Sequence, residues 1–320
     1  NLGSNDVTSL LYVNKQVRED TLAALSPQQC LWAAGKILNK EYAERALFAG
    51  ARINKIDQGT GKSVLKIIEG RSGGEPLLTR LESWNDHTKT FGPSVYSARA
   101  QTQEELDRHL VRCVKQLAGL DFYGECYDHI DDLHPYKESD YLDYGVGCKN
   151  MGLEIKEALL DGADPNVRTK IVSTIDMEGG LLHLLTVDPF EALSPPMYSL
   201  SDCEHIVDII RELKSFGIDM NQGDSKNDKG LPSQETALHY ACWAKNDISD
   251  LCKPGIRPVI VKALLDCGAD PNMANSRGMT CLQDLVFLRI PNDDLNDNQW
   301  MLEENHTLVK MLFSYGHRAV

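Results

Sequence analysis

The chain has 320 residues, of which 42% are hydrophobic, and 33 Lys and Arg against 47 Asp and Glu leave a net charge of −14. This apolar share supports a folded core, at a length of about two ordinary domains or one elongated array. The negative charge argues against nucleic-acid backbones and anionic membranes, and no apolar run is long enough to span a bilayer.

Residues 1–25 start polar, without a signal-peptide pattern, and read as an N-terminal cap or a frayed segment. Ser26-Pro27 then opens a helix containing Leu31, Trp32, Ile37 and Leu38. Leu47–Asn54 reads LFAGARIN, and Gly61-Lys62-Ser63-Val64-Leu65 follows it. Gly59–Ser63 looks like half a phosphate loop, but Ile56 stands where that motif needs glycine and no strand precedes it. Thr102 and Glu105 form a capping-box pattern before a helix with Leu106, Leu110, Val114 and Leu117. A degraded LAGLDFY at Leu117–Tyr123 leads into 119–146, a stretch rich in tyrosine and acid. LLDGADPN fills Leu159–Asn166, and Gly180-Leu181-Leu182-His183 follows it. A helix over 204–216 has Ile206, Val207, Ile209, Ile210, Leu213 and Phe216 at a period of 3.6. Its end, Leu213–Asn221, reads LKSFGIDMN, and Glu235-Thr236-Ala237-Leu238-His239-Tyr240-Ala241 comes next. LLDCGADPN at Leu264–Asn272 precedes Gly278-Met279-Thr280-Cys281-Leu282, and LFSYGHRAV at Leu312–Val320 ends the chain.

One phrase therefore recurs, Leu-Leu-x-x-Gly-Ala-Asp-Pro-Asn, intact or degraded, and a helix start follows it that opens on Ser63, Gly180, Thr236 or Thr280. A helix ends at its two apolar residues. Glycine supplies the left-handed conformation past that end, and Asp-Pro-Asn turns the chain away. Thr or Ser then caps the next helix, whose leucine points into the core.

These phrases resemble the ankyrin repeat, with its 33-residue period and T-P-L-H phrase. The resemblance implies an all-α ankyrin-repeat solenoid of five or six helix–turn–helix repeats, with hairpin loops and long inter-helix insertions. Measured against that period, the excess residues fall at about 70–101, 189–203, 247–256 and 291–304, between the two helices of their own repeats. The hairpins 166–180 and 221–236 are also long. The expected organisation is a cap at 1–25 and divergent ankyrin-like repeats at 26–123. Repeats at about 139–166, 180–221, 235–272 and 279–320 lie within 124–320.

The resemblance implies a protein–protein interaction module or scaffold, not an enzyme, that binds its partner through hairpin tips and the concave inner-helix face. On that surface the candidate contacts are Trp243, Phe287, Ser276, Arg277, Met279 and Glu235. His183 and His239 fall at the structural histidine of the T-P-L-H phrase. Tyr127, Tyr136 and Tyr141, set among acids in 119–146, fit a basic partner. No cofactor, metal, small-molecule substrate, nucleic acid or membrane insertion is expected. The residues that would hold a metal, Cys126, His129 and His134, have a spacing outside the standard zinc frameworks. The alternative is an enzyme or metal-dependent effector, with its site in the insertions around 70–150 and the repeats choosing the substrate. Nine cysteines with no CxxC pair read as reduced thiols of a cytoplasmic protein, in the host cytosol if it is a delivered bacterial effector.

Overall fold

The structure is a computed structural model that describes residues 24–69, 71–85, 89–91, 102–118, 144–172, 175–186, 200–225, 234–242, 255–287 and 299–316. It divides into two units, Asn1–His109 with Glu157–Ala163, and Leu110–Lys156 with Asp164–Val320.

In the first unit, helix α1 (Pro27–Ile37) starts where Ser26 predicts. The Ser26 hydroxyl accepts from the Gln29 N–H, and the Gln29 side chain returns to the Ser26 N–H. That reciprocal box satisfies two backbone donors that helix geometry leaves unpaired. Helices α2 (Lys40–Phe48) and α3 (Val64–Ile68) pack on α1. A Cβ on Gly35 would stand 2.6 Å from Val64 Cγ2, so the α1–α3 approach requires glycine there.

The 70–101 insertion adds helix and core in its described residues, 71–85 and 89–91. It holds α4 (Glu75–Glu82) and a two-stranded ribbon, β1 (Trp84–Asn85) with β2 (Thr90–Phe91), antiparallel with Trp84 opposite Phe91. Leu77, Leu81 and Trp84 are buried in one cluster with Leu31, Leu47 and Leu65. Pro76 in the first turn and leucines four apart account for the helix. Helix α5 (Gln103–Leu117) begins in this unit on the expected Thr102–Glu105 box. The last turn of α6 (Tyr144–Asp161) also belongs here. Arg52 ties it down, with Nε 2.7 Å from Asp161 Oδ1 and Nη2 on Glu157 Oε2.

Beyond the parts of α5 and α6 that fall in it, the described residues of the second unit hold an antiparallel hairpin, β3 (Arg168–Val172) with β4 (Ile175–Gly180), and six further helices. These are α7 (Leu181–Thr186), α8 (Leu200–Ser215), α9 (Ala237–Cys242), α10 (Ile256–Asp266), α11 (Cys281–Phe287) and α12 (Gln299–Ser314). Short helices α7, α9 and α11 pack in sequence, and longer α8, α10 and α12 do the same. Ile206, Val207, Ile209, Ile210 and Leu213 are buried on α8, as their period requires, while Phe216 is half-buried. The β3–β4 ribbon fills the long 166–180 hairpin, so the described residues are helical with two short ribbons added.

The recurring phrase folds the same way in each described copy. Gly50, Gly162, Gly217, Gly268 and Gly316 have φ of 99°, 107°, 88°, 95° and 91°. The residue after four of these glycines donates five residues back: Ala51 to Ala46, Ala163 to Ala158, Ile218 to Leu213 and Ala269 to Leu264. Those bonds close the helix as a Schellman motif, and the donor residue is buried each time. The Asp of the phrase accepts from the N–H two residues on, at 2.9 Å in Asp164–Asn166, Asp219–Asn221 and Asp270–Asn272. The Asn then reaches the next copy. Asn166 Oδ1 accepts from the Asp219 N–H at 2.7 Å, and Asn221 Oδ1 from the Asp270 N–H at 2.8 Å. Asn272 Nδ2 donates to the Gly316 carbonyl at 3.3 Å. One side chain thus sets the spacing of successive repeats.

Candidate interaction surface

A single polar residue organises the hairpin after each of three phrases. It lies three residues past the phrase's Asn: Asp57, Asp224 and Asn275, all buried. Asn275 is the fullest case. Its N–H donates to the Met279 carbonyl at 2.9 Å, and its Oδ1 accepts from the N–H groups of Arg277 and Met279 at 3.0 and 3.1 Å. Its Nδ2 donates to Asp284 Oδ2 at 2.9 Å. The loop that results is stiff, with Gly278 at φ 73° and a bridge between Ala274 and Thr280. Asp224 pairs in the same way with Glu235, backbone to backbone and side chain to backbone, each at 2.9 Å. The Tyr240 hydroxyl donates to its second oxygen at 2.8 Å. In the first unit, Asp57 closes the turn 57–62, accepting from the Gly59 N–H and the Thr60 hydroxyl. Gly59–Ser63 is therefore a closed hairpin tip whose Ser63 caps α3, and its fold is that of a turn rather than a phosphate loop.

Histidines link the hairpins. The Gly180 N–H donates to His183 Nδ1 at 3.1 Å, so the ring proton sits on Nε2, which donates to the Glu235 carbonyl at 2.9 Å. His239 repeats the pattern. It accepts from the Thr236 N–H at 3.2 Å and donates to the Met279 carbonyl at 3.2 Å. Burial holds both imidazoles below their ordinary pKa, although the carbonyl partners pull the other way. Gly180 stands in the place of Thr236, and the Gln222 side chain occupies the space a Cβ would need.

The exposed rim carries the charge. Arg277 Nη2 lies 2.9 Å from Glu235 Oε1 and 3.2 Å from Asp284 Oδ1. Its side chain is 50% exposed, against 13% and 5% for the two acids. Burial pushes the Glu235 carboxyl up to about 7; Arg277 opposes this, and Asp224 and Asp284 add to it. Asp284 is also raised by burial, against Arg277.

Among the sequence-predicted contacts, Ser276 and Arg277 are exposed at the tip, and Met279 and Glu235 are half-buried beside it. Phe287 ends α11, but its side chain lies outside the described set, and Val286 next to it is 54% exposed. Trp243, Tyr127, Tyr136, Tyr141, Cys126, His129 and His134 lie outside the described residues. Sequence reasoning missed Asp57, Asp224, Asn275 and Asp284, and the pairing of Arg277 with Glu235. The first three had a signal, a short polar side chain at a constant offset from the phrase. No described helix is long and apolar enough to cross a membrane.

Residues 233–276, which include α9, α10 and the turn after them, match the family profile described as Ankyrin repeat. No curated protein sequence matches the chain. Among solved structures, the human ASB11 ankyrin repeat domain is 12% identical, covering 94% of this chain and 96% of that one, with a TM-score of 0.28.

Proposed function

We propose that the chain, whose residues 233–276 match the ankyrin-repeat profile, is an interaction module binding a partner protein through hairpin tips and the inner-helix face, since ankyrin repeats generally mediate protein–protein interaction. The observation that supports this best is the 272–280 hairpin. Asn275 and His239 hold its backbone, while Ser276 and Arg277 stay exposed. A surface already ordered loses little conformational entropy on binding. The proposed contacts are Ser276, Arg277, Met279 and Glu235 at the tips, with Trp243 and Phe287, which the repeat register assigns to the inner-helix face. Two carboxylates, Glu235 and Asp284, pair with one guanidinium there, Asp224 acts on Glu235, and the whole chain carries −14. That excess, with the tyrosine-rich acidic stretch 119–146, favours a basic partner.

We assign residues 1–25 to an N-terminal cap or frayed segment, 26–123 to divergent repeats and 124–320 to the remaining repeats. The test is quantitative capture by the purified chain and by a folded Trp243→Ala, Met279→Ala variant. A stoichiometric protein lost by the variant supports the reading, at a cost of about 2 kcal/mol or more in direct titration with an unchanged melting temperature. Capture that is unchanged, or insensitive to salt, overturns the surface or the basic partner respectively.

A further inference from the structure

We propose that His109, Cys113 and Glu154 form a zinc site that joins helix α6 to helix α5. Among the described residues these are the one group of three histidine, cysteine or acidic side chains whose ligand atoms all lie within 4.8 Å of one another. His109 and Cys113 are one turn apart on α5, so both side chains fall on the same face of that helix. Helical zinc chelates use the same i, i+4 spacing to present two ligands to one ion. Glu154 arrives from α6, and Cys113 Sγ donates to its Oε2 at 3.6 Å. The His109–Cys113 spacing belongs to one continuous helix, and the Cys113–Glu154 contact lies inside the second unit. The site is therefore independent of how the two units are set against each other. The sequence alone conceals it, because Glu154 is 41 positions beyond Cys113.

The donor set selects the ion. A thiolate sulfur, an imidazole nitrogen and a carboxylate oxygen match a borderline-soft divalent cation, whereas calcium and magnesium require oxygen. Tetrahedral zinc, with bonds of about 2.0–2.3 Å, needs ligand atoms about 3.5 Å apart. The sulfur and the carboxylate oxygen already stand at 3.6 Å. The imidazole, within 4.8 Å of both, comes into range by rotation about its own side-chain torsions. Charge also closes. The thiolate and the carboxylate cancel the two positive charges of the ion, so binding adds no net charge to helices whose Leu110, Val114 and Ile155 are buried. The step is ligand exchange without redox change. Zinc sheds water and forms one bond each to a His109 ring nitrogen, Cys113 Sγ and a Glu154 oxygen, and the Cys113 thiol proton passes to solvent. Cys113 is 1% exposed, while His109 and Glu154 are half-buried and give the ion its route in. Three protein ligands leave the fourth position to water. None of the three residues belongs to the proposed partner surface, so the site is a separate property of the chain.

The experiment titrates the intact chain, stripped with a chelator and kept reduced, with cobalt(II) and then with zinc. Cobalt reports the ligand set, because a tetrahedral site with a thiolate gives intense visible bands and a near-ultraviolet sulfur-to-cobalt band. The expected result is one equivalent of metal, both kinds of band, and their loss when zinc displaces cobalt. Binding should also release a proton, and the melting temperature should rise with zinc. Cys113→Ser removes the sulfur band. His109→Ala and Glu154→Gln each weaken zinc binding by at least the roughly ten- to hundred-fold that the hydrogen bonds supporting such ligands are worth. Cys126→Ser binds as the parent chain does. A missing sulfur band with cobalt in excess, a sulfur band that survives in Cys113→Ser or is lost in Cys126→Ser, or an affinity unchanged in either His109→Ala or Glu154→Gln overturns the proposal. The two half-buried positions decide it even where Cys113→Ser fails to fold.

Discussion

The hairpin of the first unit and those of the second begin with the same phrase, yet they are held by opposite chemistry. After Asn54, Asp57 closes the turn and meets Lys36 Nζ at 3.6 Å, with both side chains almost fully buried. Lys66 stands where the T-P-L-H phrase has histidine, and it pairs with Glu69 at the surface. After Asn166 and Asn221, neutral His183 and His239 carry the link to the next hairpin. A buried ion pair depends on both members being present. A neutral imidazole with one donor and one acceptor matches an N–H and a carbonyl without carrying charge inward. The first solution serves a single hairpin, whereas the second can be repeated along an array.

The largest effect should come from breaking the ion pair. Asp57→Ala leaves the Lys36 ammonium buried without a counter-charge, and should cost about 3–5 kcal/mol in denaturant unfolding. Lys36→Met combined with Asp57→Asn should recover most of that loss, because neither charge then needs solvating. Failure of the double variant to recover would mean that Asp57 acts mainly through its turn bonds to Gly59 and Thr60. His239→Ala should cost about 2–3 kcal/mol, since the Thr236 N–H and the Met279 carbonyl both lose a buried partner. Lys66→Ala, at the corresponding place in the first unit, should leave the denaturant midpoint essentially unchanged. Equal costs at the two positions would erase the distinction between the hairpins.

Much of this was legible in the residues. The glycines of the phrase, the Ser26 and Thr102 caps and the apolar face of 204–216 are local patterns, and each occurs where the pattern places it. The insertion at 70–101 was legible only as a length. Excess residues reveal that something is added, but not that Leu77, Leu81 and Trp84 join the core. The hub residues were hidden for a different reason. Their offset is constant, but their partners change from Lys36 to Tyr240 to Asp284, so no single sequence pattern spans them. Arg277 and Glu235 are 42 positions apart, beyond any helical or strand spacing rule.

Acid should separate the two chemistries. An unfolded imidazole takes up a proton near 6.5, and folded His183 and His239 do so only at lower pH. Between those values the unfolded state binds more protons, so the histidine contribution is complete above about 6.5 and is lost as pH falls below it. Glu235 runs the other way. Its folded pKa of about 7 lies above the ordinary 4.5, so its contribution is present below that ordinary value and is lost as pH rises through 7. The two slopes oppose each other just below pH 6.5. Glu235→Gln should therefore make stability fall more steeply on acidification than in the parent chain. A pH–stability profile of the variant parallel to that of the parent would show that Glu235 ionises normally.

The effect of Arg277→Ala on stability should be small, and it should depend on pH. A guanidinium 50% exposed is screened by water, so its pairs with Glu235 and Asp284 are worth about 1 kcal/mol or less. Below pH 7 Glu235 is largely protonated and little of that attraction remains to lose at its carboxyl. Above it, the carboxylates of Glu235, Asp284 and Asp224 repel one another without the cation, and the variant should lose its remaining share. The same removal exposes two acids at a tip proposed to meet a basic partner. Their added attraction competes with the loss of the Arg277 contact itself. Titration at low and high salt separates these, because the attraction fades with ionic strength while a packed contact does not. A variant that binds a basic partner more tightly at low salt, with that gain abolished at high salt, would show that Arg277 screens the acidic rim and does not itself touch the partner.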